Sequence, residues 1–249
     1  MRQNIVITGA SQGLGAQMAR EYAKLGYNLG ICARNLEALN QLKDELLTLS
    51  SNIDVQVAQV DVCNREQVEA VFNGFKQHFG RLDRIIVNAG IGKGQPIGKQ
   101  GLSANLQTAN INFIGALIQL HFAAAIMREQ GSGHIVAISS ITAVRGFRGN
   151  MTVYAATKAA LASLCEGLQL EFYHKPIKVS CIYPGYILTD INKDLEYAPF
   201  RISLEEGGKK LIKAIARQPK HAFVPGWPWN VVGGILMRFA PLWLLHKLN

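Results

Sequence analysis

The sequence is poor in the features that mark several protein classes. Its 249 residues hold four cysteines, Cys32, Cys63, Cys165 and Cys181, with no C-x-x-C pair and no histidine at metal-ligand spacing. No disulfide scaffold is expected and no metal, and the thiols read as buried free cysteines of a reducing compartment. Charged residues are 17% against 49% hydrophobic, too few for a disordered chain, while the apolar residues are too evenly spread for a bundle of membrane spans. Acidic residues are the scarcer charge, 17 against 26 basic, which leaves a formal net charge of +9. That balance favours anionic company: a phosphate-bearing cofactor, an acidic membrane surface, or nucleic acid. There is neither a zinc finger nor an aromatic RNA-binding strand motif, so no nucleic-acid partner is expected. A strand pattern starts at Asn4 with no basic-then-apolar leader before it, and the chain is expected to be cytoplasmic. Internal repeats and long low-complexity linkers are also missing.

What is present is a rhythm. Short β-branched runs at residues 4–8, 28–33, 54–59, 84–87, 134–138, 178–182 and 222–224 alternate with amphipathic stretches at 13–25, 36–49, 65–79, 106–130, 152–174 and 204–218. Nearly continuous apolar strands between helices imply an α/β fold, a doubly wound parallel sheet with helices on both faces, Rossmann-type and three-layered. A catalytic domain over residues 1–226 followed by an apolar tail over 227–249 is the expected organisation. Two stretches break the rhythm, residues 91–101 and 186–203. Both follow strands at the carboxyl edge of the sheet, where ligands of such folds bind, and both are candidate substrate loops.

The first strand runs into Thr8-Gly9-Ala10-Ser11-Gln12-Gly13-Leu14-Gly15 and so into a helix. Glycines there let backbone approach a pyrophosphate, and the helix N-terminus offers free N–H groups to it; the alternative is a tight turn that binds nothing. No Gly-Lys-Ser/Thr follows, as a triphosphate loop would require. The second strand ends in Ala33-Arg34-Asn35, with no carboxylate for a ribose 2′-hydroxyl and a guanidinium where a 2′-phosphate would sit. NADP(H) is therefore expected over NAD(H), unless Arg34 is a solvated residue opening a helix. Tyr154 and Lys158 lie four apart in a helical stretch, on one face, where an ammonium can favour ionisation of the phenol.

Taken in order, Thr8 to Gly15, Asp61-Val62, Val87-Asn88-Ala89-Gly90, Asn112, Ser139-Ser140, Tyr154 with Lys158, and Pro184-Gly185-Tyr186-Ile187-Leu188-Thr189 resemble the short-chain dehydrogenase/reductases across roughly residues 4–190. The resemblance implies a Ser-Tyr-Lys-Asn set. Ser140 would hydrogen-bond a substrate carbonyl and Tyr154 would be general acid or base. Lys158 would hold the nicotinamide ribose and lower the pKa of the tyrosine, while Asn112 would kink its helix and anchor a relay water. It further implies cofactor contacts from Gly9, Ser11, Gln12, Gly13, Leu14, Gly15, Arg34, Asn35, Asp61, Val62, Asn88, Ala89, Gly90, Tyr154, Lys158, Pro184, Gly185, Ile187 and Thr189. Val87 departs from the usual asparagine. Ser140 is preferred to Ser139 by its place after the strand.

The tail carries Trp227, Trp229 and Trp243 among aliphatic residues, interrupted by Arg238, Pro241, His246 and Lys247. It suits a subunit contact or core flap, a wall for an apolar substrate, or a peripheral membrane anchor. In the loop at 186–203, Ile187, Leu188, Ile191, Leu195, Tyr197, Phe200 and Ile202 could line an apolar pocket or pack the loop down. The long helical stretches look apolar on more than one face, and a homo-oligomer is expected. The expected activity is an NADPH-dependent carbonyl reductase or alcohol dehydrogenase on a hydrophobic ketone or aldehyde. The alternatives are a nucleotide-bound epimerase or dehydratase of the same fold, and a dinucleotide-binding protein without turnover.

Overall fold

In a computed structural model, which describes residues 3–189 and 198–248, strands and helices alternate as the hydrophobic rhythm requires. They are β1 (Asn4–Thr8), α1 (Gly13–Lys24), β2 (Asn28–Ala33), α2 (Leu36–Leu49), β3 (Val55–Gln59), α3 (Arg65–Phe79), β4 (Arg84–Val87), α4 (Leu102–Ala109), α5 (Ala116–Gln130), β5 (Gly133–Ile138), α6 (Thr152–Glu171), β6 (Ile177–Pro184), α7 (Leu204–Ala216) and β7 (His221–Val224). Three of the seven strand patterns match their observed bounds, and the others differ by one or two residues at an end. The largest differences are in helices. The stretch expected at 106–130 begins at Leu102, and a π-helical segment at Asn110–Gly115 joins α4 to α5.

The strands pair in the order β3-β2-β1-β4-β5-β6-β7, all parallel. The order reverses between β1 and β4, and the crevice beyond their carboxyl ends is where such a sheet binds its ligand. Every residue of β1 and β4 is buried, as strands covered on both faces must be. On one side α1, α2 and α7 bury Met18, Leu39, Leu46 and Leu211 against Ile5, Ile7 and Ile31. On the other, α3, α5 and α6 bury Phe72, Phe75, Leu120 and Leu161 against Val6, Ile85 and Ile135. The helical spacing explains the faces: Leu39, Leu42 and Leu46 in α2, and Val68, Phe72 and Phe75 in α3, recur at three and four residues.

Beyond β7 the chain turns through α8 (Gly226–Val231), a π-helical segment at Val232–Leu236, α9 (Met237–Phe239) and α10 (Leu242–Leu248). It folds back onto the sheet edge. Trp229, 3% exposed, packs on the backbone of Gly185, where a Cβ would lie 2.2 Å from the indole Nε1. Gly233 rests on Ile141 and Phe223, and the Arg145 guanidinium donates to the Ala240 carbonyl at 2.8 Å.

Candidate active site

At the switch point the β1–α1 turn lies directly against the β4 loop. Gly9 has φ +63°, and a Cβ there would come within 2.7 Å of Ala89 Cα, so only glycine admits the approach. Thr8 and Asn88 lock the junction. The Asn88 and Ala89 amides donate to Thr8 Oγ1 at 3.0 and 3.2 Å, and Asn88 Nδ2 donates to the Thr8 carbonyl at 2.9 Å. Gly15 sits behind this turn: a Cβ on it would meet the Gly9 carbonyl at 2.3 Å, so its role is close packing and it does not line the crevice.

The crevice is one elongated groove of about 560 Å³. At one end stand Arg34, Asn35, Asp61 and Val62; Gly9, Ser11, Gln12, Gly13 and Leu14 form its middle; Ser140, Tyr154, Lys158, Pro184, Gly185, Ile187 and Thr189 close the other end. Asn88, Ala89 and Gly90 run along its floor. Of the residues expected to touch cofactor, only Gly15 is absent from the lining. Ile91, Lys93, Ile141, Thr142, Met151 and Tyr186 line it without having been singled out as site residues, although Lys93 and Tyr186 stand in the two loops that break the rhythm. Ile191, Leu195 and Tyr197 lie outside the described residues.

The groove suits a dinucleotide. Helices α2, α3 and α7 are capped by the side chains of Asn35, Asn64 and Ser203, and each carries glutamate in its first turn. Helix α1 has no side-chain cap and no acidic residue there, which leaves its N-terminal amides and the positive end of its dipole for a pyrophosphate. Asn35 is thus engaged through its side chain by the Ala38 amide at 3.0 Å. Arg34 is exposed at the groove's end, and Asp61 accepts from the Cys63 amide at 3.0 Å.

At the other end two adjacent serines part company. Ser139 Oγ donates to the Lys158 carbonyl at 2.9 Å and serves the packing of α6 on β5. Ser140 Oγ accepts from the amide and hydroxyl of Thr142, at 3.2 and 3.0 Å, and is hydrogen-bonded to Tyr154. With both lone pairs engaged by Thr142, the Ser140 O–H is left to donate to the Tyr154 oxygen, and Tyr154 keeps its own O–H for the groove. Lys158 Nζ donates to the Ile138 carbonyl at 2.9 Å and stands 5.8 Å from the Tyr154 ring centroid. Burial holds the lysine down to about 8, offset in part by the thiols of Cys181 and Cys165. Burial also pushes the Tyr154 phenol above its ordinary value, offset in part by Ser140. Desolvation is the larger influence on the phenol in this structure.

Asn112 is fully buried in the π-helical segment, below the groove. Its Oδ1 accepts from the Ile91 amide and its Nδ2 donates to the Ile91 carbonyl, both at 2.8 Å. At this position the helix widens into a π-helical turn. Its amide fastens the loop after β4, a positioning part that its residue type alone does not reveal.

A parallel sheet with this strand order, a glycine turn at its switch point and an elongated groove defines a Rossmann-type dinucleotide-binding protein. The chain matches the short chain dehydrogenase family over residues 3–199 and belongs to it, an oxidoreductase family that binds a nicotinamide dinucleotide. It is similar, at 43% identity over 240 residues, to an uncharacterized oxidoreductase of Mycobacterium tuberculosis, covering 96% of this chain and 95% of that one. An 11-beta-hydroxysteroid dehydrogenase-like protein of Arabidopsis thaliana is 34% identical over 233 residues, 90% of this chain and 73% of that one. The crystal structure of a short chain dehydrogenase/reductase from Burkholderia phymatum, in complex with NAD, superposes with a TM-score of 0.84 at 22% identity, covering 98% of this chain and 95% of that one.

Proposed function

We propose that the protein is an NADPH-dependent carbonyl reductase, working also in reverse as an alcohol dehydrogenase, on a hydrophobic ketone or aldehyde. The observation that carries this reading is the pair of hydrogen-bonded hydroxyls, Ser140 and Tyr154, at the closed end of the groove beside the buried Lys158. A reduced nicotinamide dinucleotide, when bound, supplies a hydride to a carbonyl carbon. As charge develops on the carbonyl oxygen, Ser140 donates a hydrogen bond to it and Tyr154 transfers its phenolic proton. Lys158, with one N–H on Ile138 and two to give, holds a ribose hydroxyl and steadies the tyrosinate left behind. Asn112 keeps the Ile91 loop in place against this end.

NADPH preference rests on Arg34 and on the lack of a carboxylate at the end of β2, since a 2′-phosphate there would be paired. The apolar substrate rests on Ile91, Ile141, Met151 and Tyr186 around the substrate end, and the steroid dehydrogenase-like name of the Arabidopsis relative agrees with it. We read the enzyme as a homo-oligomer, because α4, α5 and α6 expose Leu102, Leu106, Leu117 and Leu170. Four free thiols, three of them buried, fit a cytoplasmic location.

The test is NADPH oxidation against aliphatic ketones and aldehydes of increasing chain length. Each added methylene is expected to raise kcat/KM roughly fourfold until the pocket fills, as about 0.8 kcal/mol per buried methylene requires. NADH should serve less well throughout. A flat series overturns the apolar substrate, equal use of NADH overturns the cofactor preference, and no turnover overturns the reductase.

A further inference from the structure

The tail has two faces. Trp229, Gly233 and Leu245 are buried and fasten it to the sheet edge, whereas Trp227, Ile235, Leu236, Phe239, Leu242 and Trp243 project outward, each at least 55% exposed and Trp227 and Phe239 78%. This surface continues into the rim of the substrate end of the groove. Trp229 meets Tyr186 edge-on at 5.6 Å and Phe200 at 6.0 Å, and Gly233 rests on Ile141. Phe200 is itself 57% exposed.

Among the described residues, the charged side chains placed against the tail are arginines. The tail itself, residues 227–249, contains no Asp or Glu. It holds Arg238 and Lys247. Arg145 holds the Ala240 carbonyl, Arg148 lies 3.5 Å from His246, and Arg238 is exposed between Met237 and Phe239. An exposed apolar surface ringed by cations and tryptophan is what an interfacial anchor requires: rings and aliphatic chains enter the acyl boundary while arginine and lysine meet phosphate. A second copy docking through the same surface would set cations against cations with no carboxylate side chain from the tail to pair them. A substrate wall would turn these side chains toward the groove, and they point to solvent.

We propose that the tail is a docking surface for an anionic lipid bilayer, holding the substrate end of the groove at the membrane so that an apolar carbonyl enters from the lipid. The second half rests on the reductase reading; the docking itself does not. The experiment is therefore read without turnover: co-sedimentation of the full-length protein with vesicles of phosphatidylcholine alone, or of phosphatidylcholine with phosphatidylglycerol, at low and high salt. The protein is expected to pellet with the anionic vesicles at least tenfold more strongly than with the neutral ones, and less so as salt is raised. Replacing Phe239, Leu242 and Trp243 together by serine should weaken binding by roughly a hundredfold or more. Arg238→Gln should weaken it roughly fivefold on anionic vesicles only. All these side chains are exposed, and unchanged NADPH binding by the variants verifies that the fold is intact. Absence of binding, or equal binding to both vesicle types, overturns the proposal. So does a triple serine variant that dissociates an oligomer in sedimentation while vesicle binding is unchanged, which would make this face a subunit contact.

Discussion

The two ends of the sheet each hold a buried cation, and they treat it oppositely. At the amino end Arg84, 5% exposed on β4, donates Nε–H to His134 Nδ1 at 3.0 Å and Nη1–H to the Tyr22 hydroxyl at 3.3 Å. His134 Nε2 then lies 2.8 Å from Ser180 Oγ, which donates to the Pro219 carbonyl at 2.5 Å. Because Nδ1 is an acceptor here, Nε2 carries the proton, and the chain of donors runs one way from Arg84 to Pro219. At the carboxyl end Lys158, equally buried, gives one N–H to Ile138, and the Ser140 and Tyr154 hydroxyls face the groove. Neither cation has an ion-pair partner among the described residues. The difference is in closure: the amino end directs its donors to acceptors within the protein, and the carboxyl end keeps donors for a ligand. A buried polar cluster is thus a site only where its hydrogen bonds are left to make.

The largest expected effect sharpens that contrast. Tyr154→Phe keeps the ring and removes the proton, so turnover should fall by roughly two to four orders of magnitude with NADPH affinity little changed. Turnover within threefold of the parent would remove Tyr154 from the reaction and make both ends structural.

The next test breaks the comparison from the other side. Arg84→Met strands the acceptors on His134 and Tyr22, at a cost of about 2–4 kcal/mol in unfolding free energy, while kcat/KM of the folded enzyme should stay within twofold. A tenfold fall in kcat/KM without unfolding would show the ends to be coupled. The same network carries a pH signature. Burial, helped by Arg84, lowers His134 from 6.5 to about 3. The unfolded chain therefore binds the proton more tightly, and stability falls as pH drops from 6.5 toward 3. The slope is about 1.4 kcal/mol per pH unit from this residue. His134→Gln, which can accept and donate as the neutral ring does, should remove that slope in urea melts followed across pH.

The strands and the glycine turn at the switch point were legible because each rests on local chemistry. Apolar runs such as Ile5-Val6-Ile7 can bury both faces only in a covered parallel strand, and glycines at 9 and 13 mark the turn that follows. The amino-end network left no trace in the sequence pattern. Arg84, His134 and Ser180 are 50 and 46 residues apart in sequence, and only the register of β4, β5 and β6 brings them together. Thr142 was hidden for a different reason, since its contact with Ser140 depends on the 3-10 turn at Ile141–Val144 that follows β5. Helical spacing puts Lys158 on the face of Tyr154, but spacing carries no information about the burial that raises the phenol.

The smallest effect separates the two adjacent serines, which carry the same contrast one residue apart. Ser139 turns into the fold and closes its hydroxyl on the Lys158 carbonyl, as the amino end closes Arg84; Ser140 faces the groove with its hydroxyl on Tyr154. Ser139→Ala removes a single neutral hydrogen bond and should cost about 1 kcal/mol of stability, with kcat unaltered once the protein is folded. Ser140→Ala should show the reverse, a fall in kcat with unfolding barely moved, because the group it loses acts on developing charge. If instead Ser139→Ala lowers kcat more than Ser140→Ala does, the outward serine is the structural one. The donor at the carboxyl end would then have to reach substrate through the backbone of α6, and Lys158 would have to be placed again.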